Sequence, residues 1–336
     1  MKFGLYSSIA NPPRGEHLDR AIDEVIAEAR LAEDAGFDSC FFGEHHQDKD
    51  GFLPSPLIVA TAVAAHTRRL KVGTSVVLLP LHHPVRVAED VITLDLVSKG
   101  RIILGVGIGY QPADFRAFNV PMEHRVTLFE ESVEILRKCW TGETFSHHGK
   151  HYTLEDVQIR PRPFQQPSPP LWIGASVPAA VRRAGALADA FVATPSTSLQ
   201  NVMQQVDAYR EAARQAGRTP RVVLMRDAWV APTRAEAEAV YGPEVMTAYQ
   251  YYWQNRLAEF RSIPADTAFT LANLAPDRLI VGDPELCVRE FNRWSDATGA
   301  DYFLLRLRHA HSGGPPHSKI MDAIKLFGDR VLPHCR

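Results

Sequence analysis

The chain has 336 residues, 45% of them hydrophobic and 23% charged, which is ample apolar material for a core. The net charge of −2 comes from 37 basic and 39 acidic residues mixed along the sequence, so there is no basic field to attract nucleic acid or an anionic membrane. No apolar run approaches the roughly 20 residues that cross a bilayer, and residues 1–9 (MKFGLYSSI) read as a strand rather than a leader peptide. Cys40, Cys139, Cys287 and Cys335 are scattered, with no CxxC pair. That pattern predicts reduced thiols in a cytoplasmic protein, and no metal site.

Apolar runs of strand length alternate with segments of helical period. Lys2–Ile9 is predicted as a strand, and Leu18–Ala35 as a helix with Ile22, Val25, Ile26, Ala29 and Ala32 on one face and Gly36 closing it. Strand Phe37–Gly43, helix Pro56–His66, strand Leu70–Leu79 and helix Pro84–Val97 follow. Strand Arg101–Tyr110 and helix Glu123–Trp140 come next. Residues 141–170 break the rhythm as a polar excursion of short hairpin strands, in which His147, His148 and His151 are expected to be solvated. The alternation resumes with strand Leu171–Gly174, helix Pro178–Leu187, strand Ala190–Ala193, helix Leu199–Gln215, strand Val222–Val230 and a helix from Arg234. Residues 243–279 form a second excursion, rich in aromatics at Tyr249, Tyr251, Tyr252 and Trp253. Helix Pro284–Thr298, strand Tyr302–Leu307 and helix Lys319–Phe327 complete the chain. Eight such βα units predict an α/β protein, a single (β/α)₈ TIM barrel over residues 1–336 with insertions after helix four and after strand seven.

Chemistry in such a barrel sits at the C-terminal ends of the strands. Strand two ends in Gly43-Glu44-His45-His46, where imidazole can serve as general base, donor or metal ligand. Adjacent side chains diverge, so one of His45 and His46 is expected to face the site. His82-His83, ahead of a helix, reads equally well as site or rim. On strand four Gly105, Gly107 and Gly109 recur at period two and clear one face, for a flat ring or for tight packing. The GxGxG run lacks the spacing of a dinucleotide fingerprint. Gly174-Ala175-Ser176 precedes a helix and offers backbone N–H groups and a capping hydroxyl to a phosphate, or an ordinary cap. The competing segment 312–317 carries two prolines without N–H groups. Arg306 and Arg308 alternate on strand eight and are expected to face the barrel mouth together, as substrate-binding residues. Arg125 opens helix four, within reach of a cofactor or a carboxylate.

With these segments placed, the chain resembles the bacterial luciferase-like flavin monooxygenases along nearly its whole length. The strongest block runs from Val72-Gly73-Thr74-Ser75-Val76 to Pro80, through His83-Pro84-Val85-Arg86-Val87-Ala88-Glu89-Asp90, to Leu94-Asp95 and Ser98-Lys99-Gly100-Arg101. Glu44-His45-His46, Ala35-Gly36-Phe37-Asp38 and Pro170-Leu171-Trp172-Ile173-Gly174 add to it. The resemblance implies that His45 and its neighbour His46 are catalytic. It implies a non-prolyl cis peptide at Ser75-Val76 against the flavin ring, with Thr74, Gly107, Gly109 and Tyr110 also binding the cofactor. Gly107 stands where luciferase has a reactive cysteine, and Ile108 where an arginine contacts the flavin phosphate. Phosphate binding then falls to Gly174, Ala175 and Ser176, with Arg125 or Arg182, and Val126 replaces a tyrosine of some members. Residues 262–281 match a mobile lid. The implied activity uses diffusible reduced FMN and O₂ to oxygenate a small organic substrate such as an aldehyde or ketone. The implied partner is a separate NAD(P)H:flavin reductase, and the chain is expected to form a homo-oligomer. A deazaflavin-dependent hydride-transfer enzyme is the alternative, for which Ile108 leaves room, and a non-catalytic flavin-binding protein is the third reading. Glu44-His45-His46 favours the first.

Overall fold

The computed structural model describes residues 1–8, 20–47, 53–254, 257–260, 263, 267–309, 312 and 314–336. Eight strands form the barrel: β1 (Lys2–Ser7), β2 (Ser39–Phe42), β3 (Lys71–Thr74), β4 (Ile102–Gly107), β5 (Leu171–Ala175), β6 (Ala190–Ala193), β7 (Val222–Val230) and β8 (Tyr302–Arg306). Each is parallel to the next, and β8 pairs with β1 through Lys2↔Tyr302 to Tyr6↔Arg306, which closes the ring. Past Thr74 the third strand is interrupted at Ser75-Val76 and resumes as Val77–Leu78, which pairs with Val106 and Gly107 of β4.

Side-chain alternation builds two cores. Phe41, Ile103, Trp172, Val223, Met225, Tyr302 and Leu304 fill the barrel interior, where Phe41 stacks on Trp172 at 5.1 Å and Trp172 meets Tyr302 edge-on at 5.2 Å. Gly73 makes room for this packing, since a Cβ there would come within 2.6 Å of the Phe41 ring. The intervening residues, such as Cys40, Leu104, Ile173 and Leu305, pack outward against the helices. All four cysteines are free thiols, three of them buried. Among the described residues no helix is long and apolar enough to cross a membrane.

At the N-terminal face Arg101 stitches two helix ends to the barrel. Its guanidinium donates to the carbonyls of Ser98, Leu70, Ala64 and Thr67 and to the Thr67 hydroxyl. Arg101→Ala strands several of these acceptors at once, and a net hydrogen bond to a charged group is worth about 1.5–3 kcal/mol. The expected result is a clear fall in the urea midpoint, with the binding properties of the opposite face unchanged.

Three sequence expectations need correction. Helix Arg234–Gln254 continues through Pro243, so the second excursion starts later than residue 243. Burial of Tyr241, Val245, Ala248 and Tyr249 along that helix outweighs the hydrogen bond lost at proline. The excursion also returns a strand to the rim: Ile280–Gly282 pairs with Ala228–Val230 of β7. In the first excursion the hairpin Phe145–His148 with Thr153–Val157 forms as expected. His147, however, is buried rather than solvated, its Nε2 3.1 Å from Glu131 and its Nδ1 3.2 Å from the Lys138 ammonium. Of the expected lid, residues 262 and 264–266 lie outside the described residues, as does Gly313 of the alternative phosphate segment.

Candidate active site

The interruption of the third strand shapes the floor of the C-terminal face. The Ser75-Val76 peptide is cis, as the resemblance implies. Thr74 anchors the segment, its hydroxyl donating to the Gly105 carbonyl at 2.7 Å and accepting from the Gly105 N–H at 3.0 Å, while the Ser75 N–H reaches the Phe42 carbonyl. Val76 then lies across two neighbouring strands. A Cβ at Gly107 would come within 2.7 Å of one Val76 methyl, and a Cβ at Gly174 within 2.9 Å of the other. The glycines of β4 are therefore cleared by the third strand itself: Gly105 for the Thr74 carbonyl and Gly107 for Val76. Gly109 lies beyond the strand at φ +73°, turning the chain against Phe115, and Tyr110 is exposed.

Beside this platform, one carboxylate gathers three donors. Glu44, only 3% exposed, accepts the Leu78 N–H on Oε2 at 2.6 Å and faces Nε2 of His46 at 2.8 Å and of His82 at 2.6 Å on Oε1. Burial pushes its carboxyl pKa upward, but the hydrogen bonds from His46, His82 and Leu78 and the nearby His82 charge bring it down to about 2. Phe118 packs against both rings, 4.6 Å from His46 and 6.2 Å from His82. The ligand atoms of Glu44, His46 and His82 lie within 4.8 Å of one another, as compact as a metal site. The spacing of cysteines said nothing about this group. His45 is half-buried, its backbone N–H bonded to the Leu53 carbonyl. Of the strand-end pair, His46 is the one that shares the Glu44 carboxylate with His82.

The opposite wall is a buried polar network that sequence reasoning did not assemble. Arg306 grips Asp227 through two bonds, Nε to Oδ1 at 2.6 Å and Nη2 to Oδ2 at 3.0 Å. Tyr249 donates to the same carboxylate at 2.7 Å, and His309 Nε2 lies 3.2 Å from Oδ1 and 2.8 Å from the Tyr241 hydroxyl. Tyr252 is 3.5 Å from Arg306 Nη1. Burial alone would raise the Asp227 pKa, but the charges of Arg306 and His309 hold it below the ordinary value, so the pair stays ionised. Arg306 keeps its expected place at the barrel mouth. Arg308 does not: β8 ends at Arg306, and Arg308 instead bonds the buried Glu28 of helix Ala21–Asp34 at 2.7 Å.

The other cofactor candidates divide similarly. Helix Pro178–Leu187 begins after Val177 with no side-chain cap, so Ser176 is not the capping hydroxyl; its carbonyl accepts from Gln205. Arg125 is half-buried, donates Nη1 to the Met122 carbonyl, and its buried Nε has no partner among the described residues. Arg182 is exposed on its helix.

The family model described as luciferase-like monooxygenase matches residues 1–301. The uncharacterized protein y4vJ of Sinorhizobium fredii is 35% identical over 186 residues, 55% of this chain and 52% of that protein, so the chain matches about half the length of that relative. An F420-dependent glucose-6-phosphate dehydrogenase of Microbacterium testaceum is 29% identical over 100% of this chain and 98% of its own. Among solved structures, the monooxygenase RslO1 from Streptomyces bottropensis superposes with a TM-score of 0.85 at 25% identity, covering 99% of each chain. The oxygenating constituent of 3,6-diketocamphane monooxygenase from Pseudomonas putida, in complex with FMN, gives 0.83 at 23% identity, over 100% of this chain and 99% of that one, and shares the fold. A closed parallel barrel, an interrupted third strand and a family match over most of the sequence agree: the chain belongs to the luciferase-like monooxygenase family.

Proposed function

We propose that the protein is the oxygenase of a two-component system, taking reduced FMN from a separate NAD(P)H:flavin reductase and oxygenating a small aldehyde, ketone or similar substrate. The observation that carries this reading is the Val76 platform over Gly107 and Gly174, flanked by the Glu44–His46–His82 group. A planar ring fits against the Val76 side chain, which Gly107 and Gly174 let lie close over β4 and β5, and the backbone of Gly174, Ala175 and Ser176, with Arg125 as the candidate cation, would take the phosphate. Reduced FMN, when bound, supplies the electrons that activate dioxygen. The protein's own share is to orient the ring, exclude water and move protons at the imidazoles of His45, His46 and His82. The Asp227–Arg306 wall with Tyr252 would meet the polar end of the substrate.

The full-length F420-dependent relative supports a second reading, deazaflavin-dependent hydride transfer at the same platform. Thermal shift separates the two, since a ligand at 100 times its Kd adds about 2.7 kcal/mol to stability. FMN is expected to raise the Tm and F420 to leave it unchanged; the reverse would replace the proposal with the alternative. Turnover is expected with reduced FMN from an unrelated reductase and absent with NADPH alone. Gly107→Ala, which must displace the Val76 methyl, is expected to weaken FMN binding at least tenfold, or about 1.4 kcal/mol, as read by fluorescence titration. Unchanged affinity in that variant would move the ring off Val76.

A further inference from the structure

We propose that Glu44 is a positioning residue that sets which nitrogen of His46 and of His82 carries the proton. The inference deepens the proposed function, resting on the reading that these imidazoles manage protons, and it concerns residues for which the family match assigns no such role.

Donors and acceptors around Glu44 fix where the protons sit. An ionised carboxylate only accepts hydrogen bonds. Both rings approach the same oxygen, Oε1, through Nε2, so each must donate an Nε2–H to it. In each neutral ring the remaining nitrogen, Nδ1, is then the bare acceptor, and the two rings become equivalent proton acceptors fixed by one anion. The other oxygen is committed to the Leu78 N–H, a donor that cannot reverse its role. Leu78 lies in the short strand that follows Val76, so the same carboxylate ties the rings to the platform. Phe118 against both rings limits their freedom to turn.

A carboxamide of the same shape makes the idea testable. In Glu44→Gln the fixed Leu78 N–H claims the amide oxygen, and the NH₂ group is left facing both Nε2 atoms. Each ring can keep its hydrogen bond only by moving its proton to Nδ1. The carboxamide therefore preserves the packing and the number of hydrogen bonds while inverting both tautomers, which a purely structural anchor would not do.

The experiment is long-range ¹H–¹⁵N correlation of ¹⁵N-histidine-labelled, flavin-free protein at a pH about two units above the ordinary histidine value of about 6.5. Assignments would come from His46→Gln and His82→Gln. The expected result is Nε2–H at both rings in the wild type and in Glu44→Asp, and Nδ1–H at both rings in Glu44→Gln, with a cooperative melt retained. Unchanged tautomers in a folded Glu44→Gln protein would overturn the proposal. So would an Nδ1–H ring in the wild type, a measurement that stands even if the variant does not fold, or a stoichiometric metal ion on the two Nε2 atoms. Because no flavin is present, failure here is separable from a wrong choice between FMN and deazaflavin.

Discussion

Asp227→Ala is expected to be the most destabilising single substitution at the C-terminal face. It leaves Arg306, 6% exposed and with its charge held by that carboxylate, facing His309 with no anion between them. Removing one partner of a buried ion pair typically costs about 3–5 kcal/mol, because the other charge stays buried and unpaired. For a chain of this length that corresponds to a Tm lower by roughly 4–7 °C. Arg306→Met in the Asp227→Ala background should recover part of the loss, since the cost lies in the stranded cation; a double variant less stable than Asp227→Ala would refute the account. The pair also predicts acid sensitivity. The folded pKa of Asp227 lies below its unfolded value of about 3.9. Its contribution to stability is therefore fully present above that unfolded value and is lost as the pH falls through the folded one. Asp227→Asn should flatten the acid limb of the stability curve.

The second large effect concerns the strand-end imidazoles. General acid–base help is typically worth about 10²–10⁴-fold, so His45→Ala/His46→Ala is expected to lose that much product formation with reduced FMN and to release hydrogen peroxide instead. Adjacent residues at a strand end cannot both face one point. The ring of His46 is bonded to Glu44 and packed on Phe118, which fixes it beside the platform. His46→Ala is therefore expected to be the costlier single variant, measured as product formed per NADH consumed in a reductase-coupled assay. Full coupling in both single variants would remove proton transfer by these side chains from the mechanism.

The barrel was legible because its signals are local. Each strand is a short apolar run, each helix a period of 3.6, and their alternation leaves little choice of topology. Glu44 and the paired histidines were visible for the same reason: they sit together at a strand end. His82 was not separable from a rim residue, because its partner lies 38 positions away and a contact between the ends of two neighbouring strands leaves no periodic trace. Asp227 and Arg306 are 79 positions apart and were missed as a pair, though an aspartate inside an apolar strand that carries a second charge, Arg226, was a signal that could have been used. Arg308 departs from the expected alternation because β8 ends at Arg306. The aromatic stretch after residue 243 reads as an excursion, yet it is helical to Gln254, and the strand Ile280–Gly282 is too short to announce itself.

The neighbouring charges of β7 carry a further consequence, for how the chain finds its fold. Arg226 and Asp227 point to opposite sides of one strand. Arg226 reaches outward to the carbonyls of Thr194 and Thr197 and lies over Trp294 at 4.4 Å, while Asp227 points inward to Arg306. Most strands of this barrel are apolar on both sides, so a slip of one residue would disrupt packing and the close glycine contacts but would misplace no pair of opposite charges. β7 is different. A one-residue slip would turn Arg226 into the interior against Arg306, two cations without water, and would drive Asp227 among the helices. Two adjacent buried charges of opposite sign thus make this strand intolerant of misalignment, and the strands on either side inherit their alignment from it.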